Sequence, residues 1–84
     1  MNLSLNSVVE QQKIRIRERF AANLKKLRVA KGMTQTQLAE CVNVPRSSYN
    51  AFETARNAPH LQALVRLADV LNVTLDELVG RNRH

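Results

Sequence analysis

The stretch from Gln35 to Glu53, QTQLAECVNVPRSSYNAFE, limits the folds open to this chain more than any other segment. Good helix formers stand on both sides of the tripeptide Asn43-Val44-Pro45. Asn accepts a left-handed backbone better than any residue except Gly, so it suits the end of a helix. Pro suits the first turn of the next helix, where its missing N–H would be unpaired in any case. We therefore predict two short helices, about 35–42 and 46–53, joined by a tight corner.

Start and stop signals divide the rest of the chain into helices. Thr34 and Gln37 form a capping box before the second helix, and Thr74 is placed to cap a short last helix. Gly32 predicts the end of the first helix near residue 30. The start of that helix is open between residues 8 and 17, because residues 13–17 alternate apolar and basic in a way that also suits a strand. The predicted helices are the first one, 35–42, 46–53, 60–71 and 75–79.

Apolar spacing supports the same plan. Residues that share one face of a helix recur at intervals of three and four. On the first helix they are Ile16, Phe20, Leu24 and Leu27, and on the fourth they are Leu61, Leu64, Leu67, Ala68 and Leu71. Gly and Pro number only two each, which favours helices over a turn-rich sheet. The predicted fold class is all-α, a single compact five-helix domain over 13–80, with 1–12 as a flexible arm or an extension of helix 1 and 81–84 as a basic tail.

Charge and the scarcity of reactive residues narrow the function. Thirteen Lys and Arg against seven Asp and Glu give a net charge of +6, which predicts a polyanionic partner. No apolar run is long enough to span a bilayer, and the single Cys41 cannot form an internal disulfide. His60 and His84 lack partners at metal-ligand spacing, and no nucleophile with a base is assembled. We expect no enzyme, no cofactor and no metal, and a cytoplasmic, nucleoid-associated location.

The outward face of the third helix carries residues suited to DNA. Arg46, Ser47, Asn50 and Ala51 are expected to face out near the start of that helix. Arg, Ser and Asn side chains without a neighbouring acid fit base edges and phosphates. A helix pair of this kind can place its second helix in the major groove.

At this point the chain resembles the lambda-repressor-like (Cro and Xre type) helix-turn-helix family over residues 23–79. The resemblance implies a five-helix domain that regulates transcription, most simply as a repressor, by binding double-stranded DNA at a two-fold symmetric operator as a homodimer. The motifs that carry the resemblance are Leu24-Lys25-Lys26-Leu27-Arg28, Lys31-Gly32-Met33-Thr34-Gln35, Leu38-Ala39-Glu40, Phe52-Glu53, Arg56 through Pro59, and Leu67–Val73 leading to Leu75-Asp76-Glu77-Leu78.

The resemblance also implies roles for individual positions. Some match residues that contact bases, some match residues that contact phosphates, and one pair matches a structural salt bridge. These are Arg46, Ser47, Asn50 and Ala51 for bases, Gln35, Ser48, Arg56 and Asn57 for phosphates, and Arg28 with Glu53 for the salt bridge. The chain departs from the family at Pro45, where Ser or Thr is frequent, at Ala51, where a longer polar reader is common, and at Ala55, where Gly is frequent. Direct reading of bases should therefore depend mainly on Arg46.

Other interpretations stay open. The domain could serve chiefly as a protein-interaction module, such as the antitoxin partner of a toxin. The basic run 13–19 could be a solvated face or could follow the DNA backbone, and membrane attachment through 13–28 is a weaker alternative. For the homodimer we expect an interface at helix 5 and the connection before it, which supply more apolar residues than one small core needs: Val73, Leu75, Leu78 and Val79.

Overall fold

The computed structural model describes residues 3–81 of the 84-residue chain. That part of the chain folds into five helices and contains no strand, as predicted. The helices are α1 (Leu3–Ala30), α2 (Gln35–Cys41), α3 (Arg46–Glu53), α4 (Leu61–Leu71) and α5 (Leu75–Leu78). Residues 1 and 2 of the expected N-terminal arm and residues 82–84 of the expected basic tail, including His84, lie outside the described residues.

Helix α1 begins at Leu3, so the expected start between residues 8 and 17 was wrong. Its 28 residues correspond to about 42 Å of helix. Its C-terminal half packs into the domain, where Phe20 and Leu24 are buried, whereas residues 7–16 are exposed. Ile16, which was expected on the inward stripe, is 61% exposed because the helix has already left the core there. Residues 13–17 are helical, so the helical spacing of apolar residues, and not the strand-like alternation of apolar and basic residues, predicts the structure of this segment correctly.

Each of the five helices is followed, one or two residues after its end, by a residue with a left-handed backbone. The N–H group of the residue after the left-handed one donates to a carbonyl in the last turn of the helix, as in Val44 N to Ala39 O at 3.0 Å and Arg56 N to Ala51 O at 3.0 Å. This Schellman pattern satisfies carbonyls that would otherwise lack partners. Gly32 and Asn43 were expected in this role, whereas Ala55 was not. The five residues and their φ angles are Gly32 (72°), Asn43 (60°), Ala55 (62°), Asn72 (57°) and Gly80 (74°).

The helix starts are capped largely as the sequence predicts. Thr34 and Thr74 each form a capping box, with Gln37 and Glu77 as the reciprocal partners. Pro45 is the N-cap of α3 and makes no side-chain cap bond; it is therefore one position earlier than the first helical turn in which we expected it. The fourth helix begins at Leu61 and not at residue 60, whose imidazole Nδ1 caps it instead by accepting from Ala63 N at 3.2 Å.

The core lies where α2 and α3 pack on the C-terminal half of α1 and on α4. Tyr49 and Phe52 are buried there and pack edge to face, as their inward positions predicted. Leu61 is 72% exposed, so it does not belong to the inward face of α4. The buried cluster consists of Phe20, Leu24, Leu38, Ala39, Val42, Tyr49, Phe52, Leu67, Ala68, Leu71 and Leu78.

Candidate nucleic-acid interface

The N-terminal half of α3 forms an exposed polar surface. Arg46 and Ser47 are exposed, and Ser48, Asn50 and Ala51 are half-buried. Arg46 and Asn50 are four residues apart and therefore lie on one side of the helix. The hydrophobic side of α3, with Tyr49 and Phe52, faces the core. This amphipathic arrangement leaves the residues predicted to contact bases on the side of α3 away from the core.

The only acid between residues 46 and 57 is Glu53, and its charge is matched inside the protein. Arg28 Nε donates to Glu53 Oε2 at 2.6 Å, and Arg28 Nη2 donates to Glu53 Oε1 at 3.1 Å. The expected salt bridge between helix 1 and the end of helix 3 is therefore present and bidentate. The Arg28 side chain is 12% exposed and that of Glu53 only 3%. Arg28 Nη1 also donates to Met33 O at 2.7 Å, which ties the α1–α2 loop to the same guanidinium.

Two further donors complete the surroundings of the Glu53 carboxylate. Tyr49 OH donates to Oε2, and Gln35 Nε2 donates to Oε1 at 3.0 Å. Sequence reasoning did not find either bond, although Tyr49 and Glu53 stand at i, i+4 on one helix, a spacing that brings side chains together. The four donors use the four lone-pair positions of the carboxylate.

The ionisation of this cluster follows from its geometry. Burial by itself would raise the pKa of Glu53, but hydrogen bonds from Arg28, Tyr49 and Gln35 outweigh it and hold that pKa below its ordinary value. The hydrogen bond to Glu53 raises the pKa of Arg28 against the opposing effect of burial. Burial, together with the neighbouring carboxylate, raises the pKa of the Tyr49 phenol. At neutral pH the cluster is thus a neutral phenol beside an internal ion pair.

Gln35 joins the cluster to the exposed surface of α3. Its Nε2 donates to Asn50 Oδ1 at 3.2 Å as well as to Glu53. Both residues were predicted to contact DNA, Gln35 at phosphate and Asn50 at a base, and the structure brings them into contact with each other. The contact was not foreseen because the two positions are fifteen apart and each had been assigned to DNA separately.

The loop after α3 positions the other candidate phosphate ligands. Arg56 and Asn57 are both exposed, and Arg56 Nε donates to Thr54 Oγ1 at 3.1 Å. Asn57 Oδ1 accepts from Ala58 N at 2.9 Å. The backbone N–H groups of Arg56 and Asn57 both donate to Ala51 O, so the loop turns back against the end of α3. Arg46 and Arg56 are thus the exposed cations at the two ends of α3.

Other kinds of site find no support in the described residues. Within 3–81, no three His, Cys, Asp or Glu side chains are grouped so that they could hold a metal ion. In the same range, no helix combines the length and apolar character needed to cross a membrane. Cys41 is an exposed free thiol.

The sequence matches the helix-turn-helix family model over residues 24–78, which includes both helices of the corner and the helices that support it. The chain belongs to the lambda-repressor-like (Xre type) helix-turn-helix family. This match confirms the resemblance and the predicted five-helix fold class. It also agrees with the expectation that the domain is not an enzyme, because the family consists of DNA-binding regulators.

Relatives and solved structures agree with that assignment. The cryptic phage CTXphi transcriptional repressor RstR of Vibrio cholerae serotype O1 is 34% identical over 81% of this chain and 57% of its own length. The HTH-type transcriptional activator BcrR of Enterococcus faecalis is 35% identical over 73% of this chain but 30% of its own length. The restriction-modification controller protein C.AhdI of Aeromonas hydrophila has a TM-score of 0.68 and 31% identity, with 73% of this chain and 92% of that chain covered.

A transcriptional regulator from Listeria innocua gives a TM-score of 0.71 at 32% identity over 77% of this chain and 61% of that chain. The chain spans about half the length of several curated regulators that it matches, including 52% of YqaE from Bacillus subtilis. The shared part is the helix-turn-helix domain.

The structure corrects the expected dimer surface. Leu78 is completely buried in the core of its own chain and cannot contact a second copy. Val73 and Val79 are half-buried and pack against the same core. Of the four apolar residues expected at an interface, only Leu75 is exposed, at 44%.

Proposed function

We propose that this chain is a transcriptional repressor that binds double-stranded DNA as a homodimer, with α3 of each copy in the major groove of a two-fold symmetric operator. The observation that carries the proposal is the electrostatic character of α3. Its outward side carries the exposed Arg46 and Ser47 and the half-buried Asn50, while the side chain of its only acid, Glu53, is buried and paired with Arg28. An unpaired carboxylate on α3 would repel the DNA phosphates, and the one acid of this helix is neutralised by Arg28.

Each exposed side chain has a role in the proposal. Arg46 is the main reader, because a guanidinium can bond both O6 and N7 of guanine. Ser47 and Asn50 make further base contacts, and the methyl of Ala51 can meet only an apolar group such as that of thymine. Arg56, Asn57 and Ser48 contact phosphates, which fix the register of the protein on the duplex.

Gln35 stands at the start of α2 and is proposed to contact phosphate as well. Its side-chain amide has only two hydrogens, and both are donated within the protein, to Asn50 and to Glu53. A phosphate contact by that amide would therefore have to replace one of these bonds.

Repression, dimerisation and location are part of the same proposal. RstR, at 34% identity, is named a repressor. A homodimer would place its recognition helices in successive major grooves about 34 Å apart. We place the contact between copies around Leu75, the apolar residue of α5 that its own core leaves exposed. A regulator of this kind would reside in the cytoplasm with the nucleoid.

The test is selection of bound sequences from a random double-stranded DNA pool at stated salt. We expect a two-fold symmetric motif. Replacing Arg46 by Ala should then cost about 1–3 kcal/mol on that site and relax preference at one base pair, whereas Arg56→Ala should weaken all sequences by a similar factor. If neither change alters binding, α3 is not the reader. A stoichiometric protein partner that survives nuclease treatment, without DNA selection, would favour the antitoxin-like alternative.

A further inference from the structure

We infer that Gln35 fixes the side-chain amide of Asn50 so that Asn50 meets DNA as a hydrogen-bond donor, which makes Gln35 a positioning residue for sequence specificity. The inference rests on the proposed function, because it assumes that α3 enters the major groove. It goes beyond the proposed function in two ways. It states which chemical groups on a base Asn50 can bond, and it names Gln35 and Glu53 as the residues that impose this choice.

The argument begins at the buried carboxylate. Glu53 accepts two bonds from Arg28 in a bidentate pair, so it is ionised and both of its oxygens can only accept. Any neutral side chain that bonds Glu53 must therefore present a donor. At the 3.0 Å contact with Gln35, that donor has to be Nε2 and cannot be Oε1. The orientation of the Gln35 amide is thus set by the charge of Glu53.

The same amide nitrogen then sets Asn50. Nε2 carries two hydrogens; one is donated to Glu53 and the other points to the Asn50 side chain at 3.2 Å. A donor can be met only by an acceptor, so the atom of Asn50 that faces Gln35 is Oδ1. The Nδ2 group of Asn50 is left on the other branch of the amide, where no bond to a protein group is made in the described residues.

The consequence concerns how Asn50 can read a base. A free Asn can pair with adenine through one donor and one acceptor, to N7 and N6 respectively. Here Oδ1 is turned toward α2, so Asn50 offers hydrogens and can serve acceptors such as purine N7, guanine O6 or thymine O4. The N4 amino group of cytosine, which is a donor, finds no partner at this position.

The inference predicts distinct effects for three variants of the full chain, each profiled on the random DNA pool. Asn50→Ala identifies the base pair that Asn50 reads, as the position where preference is lost. Gln35→Ala frees the Asn50 amide to rotate, so preference at that pair should fall from roughly tenfold to roughly twofold while the other positions keep theirs. In Asn50→Asp the outer atom becomes an acceptor, so the preferred base pair at that position should change.

Gln62, which is exposed on α4, provides the matched control, and Gln62→Ala should leave the whole profile unchanged. If Arg46→Ala alters the profile but Gln35→Ala does not, the proposed function stands and this inference is overturned. The inference is also overturned if Asn50→Ala changes no position. If the wild-type chain selects no sequence from the pool, the proposed function is overturned instead.

A second measurement needs neither DNA nor a variant, so it can be made even if the variants fold poorly. In the free wild-type protein, the side-chain amide hydrogens of Gln35 should exchange with solvent several-fold more slowly than those of Gln62, because both are donated to buried or half-buried acceptors. Equal exchange of the two glutamine side chains would overturn the inference.

Discussion

Ala55 offers the sharpest test of the described backbone. Its φ of 62° lies in the left-handed region, which costs a residue with a Cβ about 1–2 kcal/mol. Glycine adopts that conformation without the steric cost, but it has more freedom to lose on folding, which offsets about 0.4–1 kcal/mol. Ala55→Gly should therefore stabilise the fold by about 0.5–1 kcal/mol. For a domain of this size, that gain should raise the melting temperature by about 3–6 °C.

The matched control is the same chemical change at Ala22, an exposed position inside α1. Ala22→Gly should destabilise the fold by about 1 kcal/mol, because glycine is a poor residue in a helix interior. Both variants can be measured by thermal and urea unfolding, monitored by circular dichroism. If the same Ala→Gly change raises the unfolding free energy at position 55 and lowers it at position 22, the local backbone conformation is the cause. If Ala55→Gly lowers stability as much as Ala22→Gly, residue 55 does not adopt a left-handed conformation and the reasoning is refuted.

The remaining predictions concern the buried cluster and a helix cap. Glu53→Gln should destabilise the domain by about 3–5 kcal/mol, because it leaves the guanidinium of Arg28 buried without its counter-charge; urea unfolding at pH 7 measures this, and a loss below 1 kcal/mol would contradict it. Because the folded state lowers the pKa of Glu53, its ionisation stabilises the fold above about pH 4.3, and that contribution should be lost as pH falls further. The gap in unfolding free energy between wild type and Glu53→Gln should therefore narrow below about pH 4.3, by at most about 1.4 kcal/mol per pH unit, whereas a constant gap would rule this out. Thr34→Ala removes the side-chain half of the capping box of α2 and should lower the free energy of unfolding by about 1 kcal/mol in the same assay. The control, Thr36→Ala, should change the free energy of unfolding only through helix propensity.

Much of the fold follows from local signals that act over three or four residues. Thr34 and Thr74 cap helices because a hydroxyl followed three positions later by Gln or Glu satisfies two backbone donors at once. Asn43 ends α2 because its side chain tolerates the backbone that the corner needs. These choices depend on the chemistry of one short segment, so the sequence is sufficient to predict them.

The structure differs from the sequence-based prediction where a feature depends on residues that are distant in sequence, or where local propensity carries no signal. No local signal separates a helix that starts at residue 3 from one that starts at residue 8, and residues 7–16 are all exposed, so no buried stripe marks the start. Leu78 and Leu61 are both leucines on short helices, yet one is buried and the other exposed. Which of them packs depends on where each helix lies in the fold, and periodicity does not encode that placement.

The candidate site shows the same division. The types of residue on α3 follow from sequence, and the pairing of Arg28 with Glu53 follows from the family resemblance. The bond between Gln35 and Asn50 does not, since it depends on two side-chain rotamers and on a carboxylate that orients the amide between them. Roles assigned to one residue at a time therefore do not reveal that Gln35 and Asn50, both predicted to contact DNA, are hydrogen-bonded to each other.

The left-handed helix ends have an evolutionary consequence. The ends of five helices depend on backbone handedness at single positions, and three of these positions (32, 43 and 72) are exposed. Valine, isoleucine and proline are excluded there by their own geometry, whatever the surrounding surface accepts. A library of variants scored only for folding should thus reveal positions 32, 43, 55 and 72 as ones that admit glycine or asparagine and reject branched residues. Position 80 should favour glycine alone, because a Cβ there would lie 3.0 Å from Arg19 Cγ. Such a series would record the topology of the domain independently of which DNA sequence it has come to read.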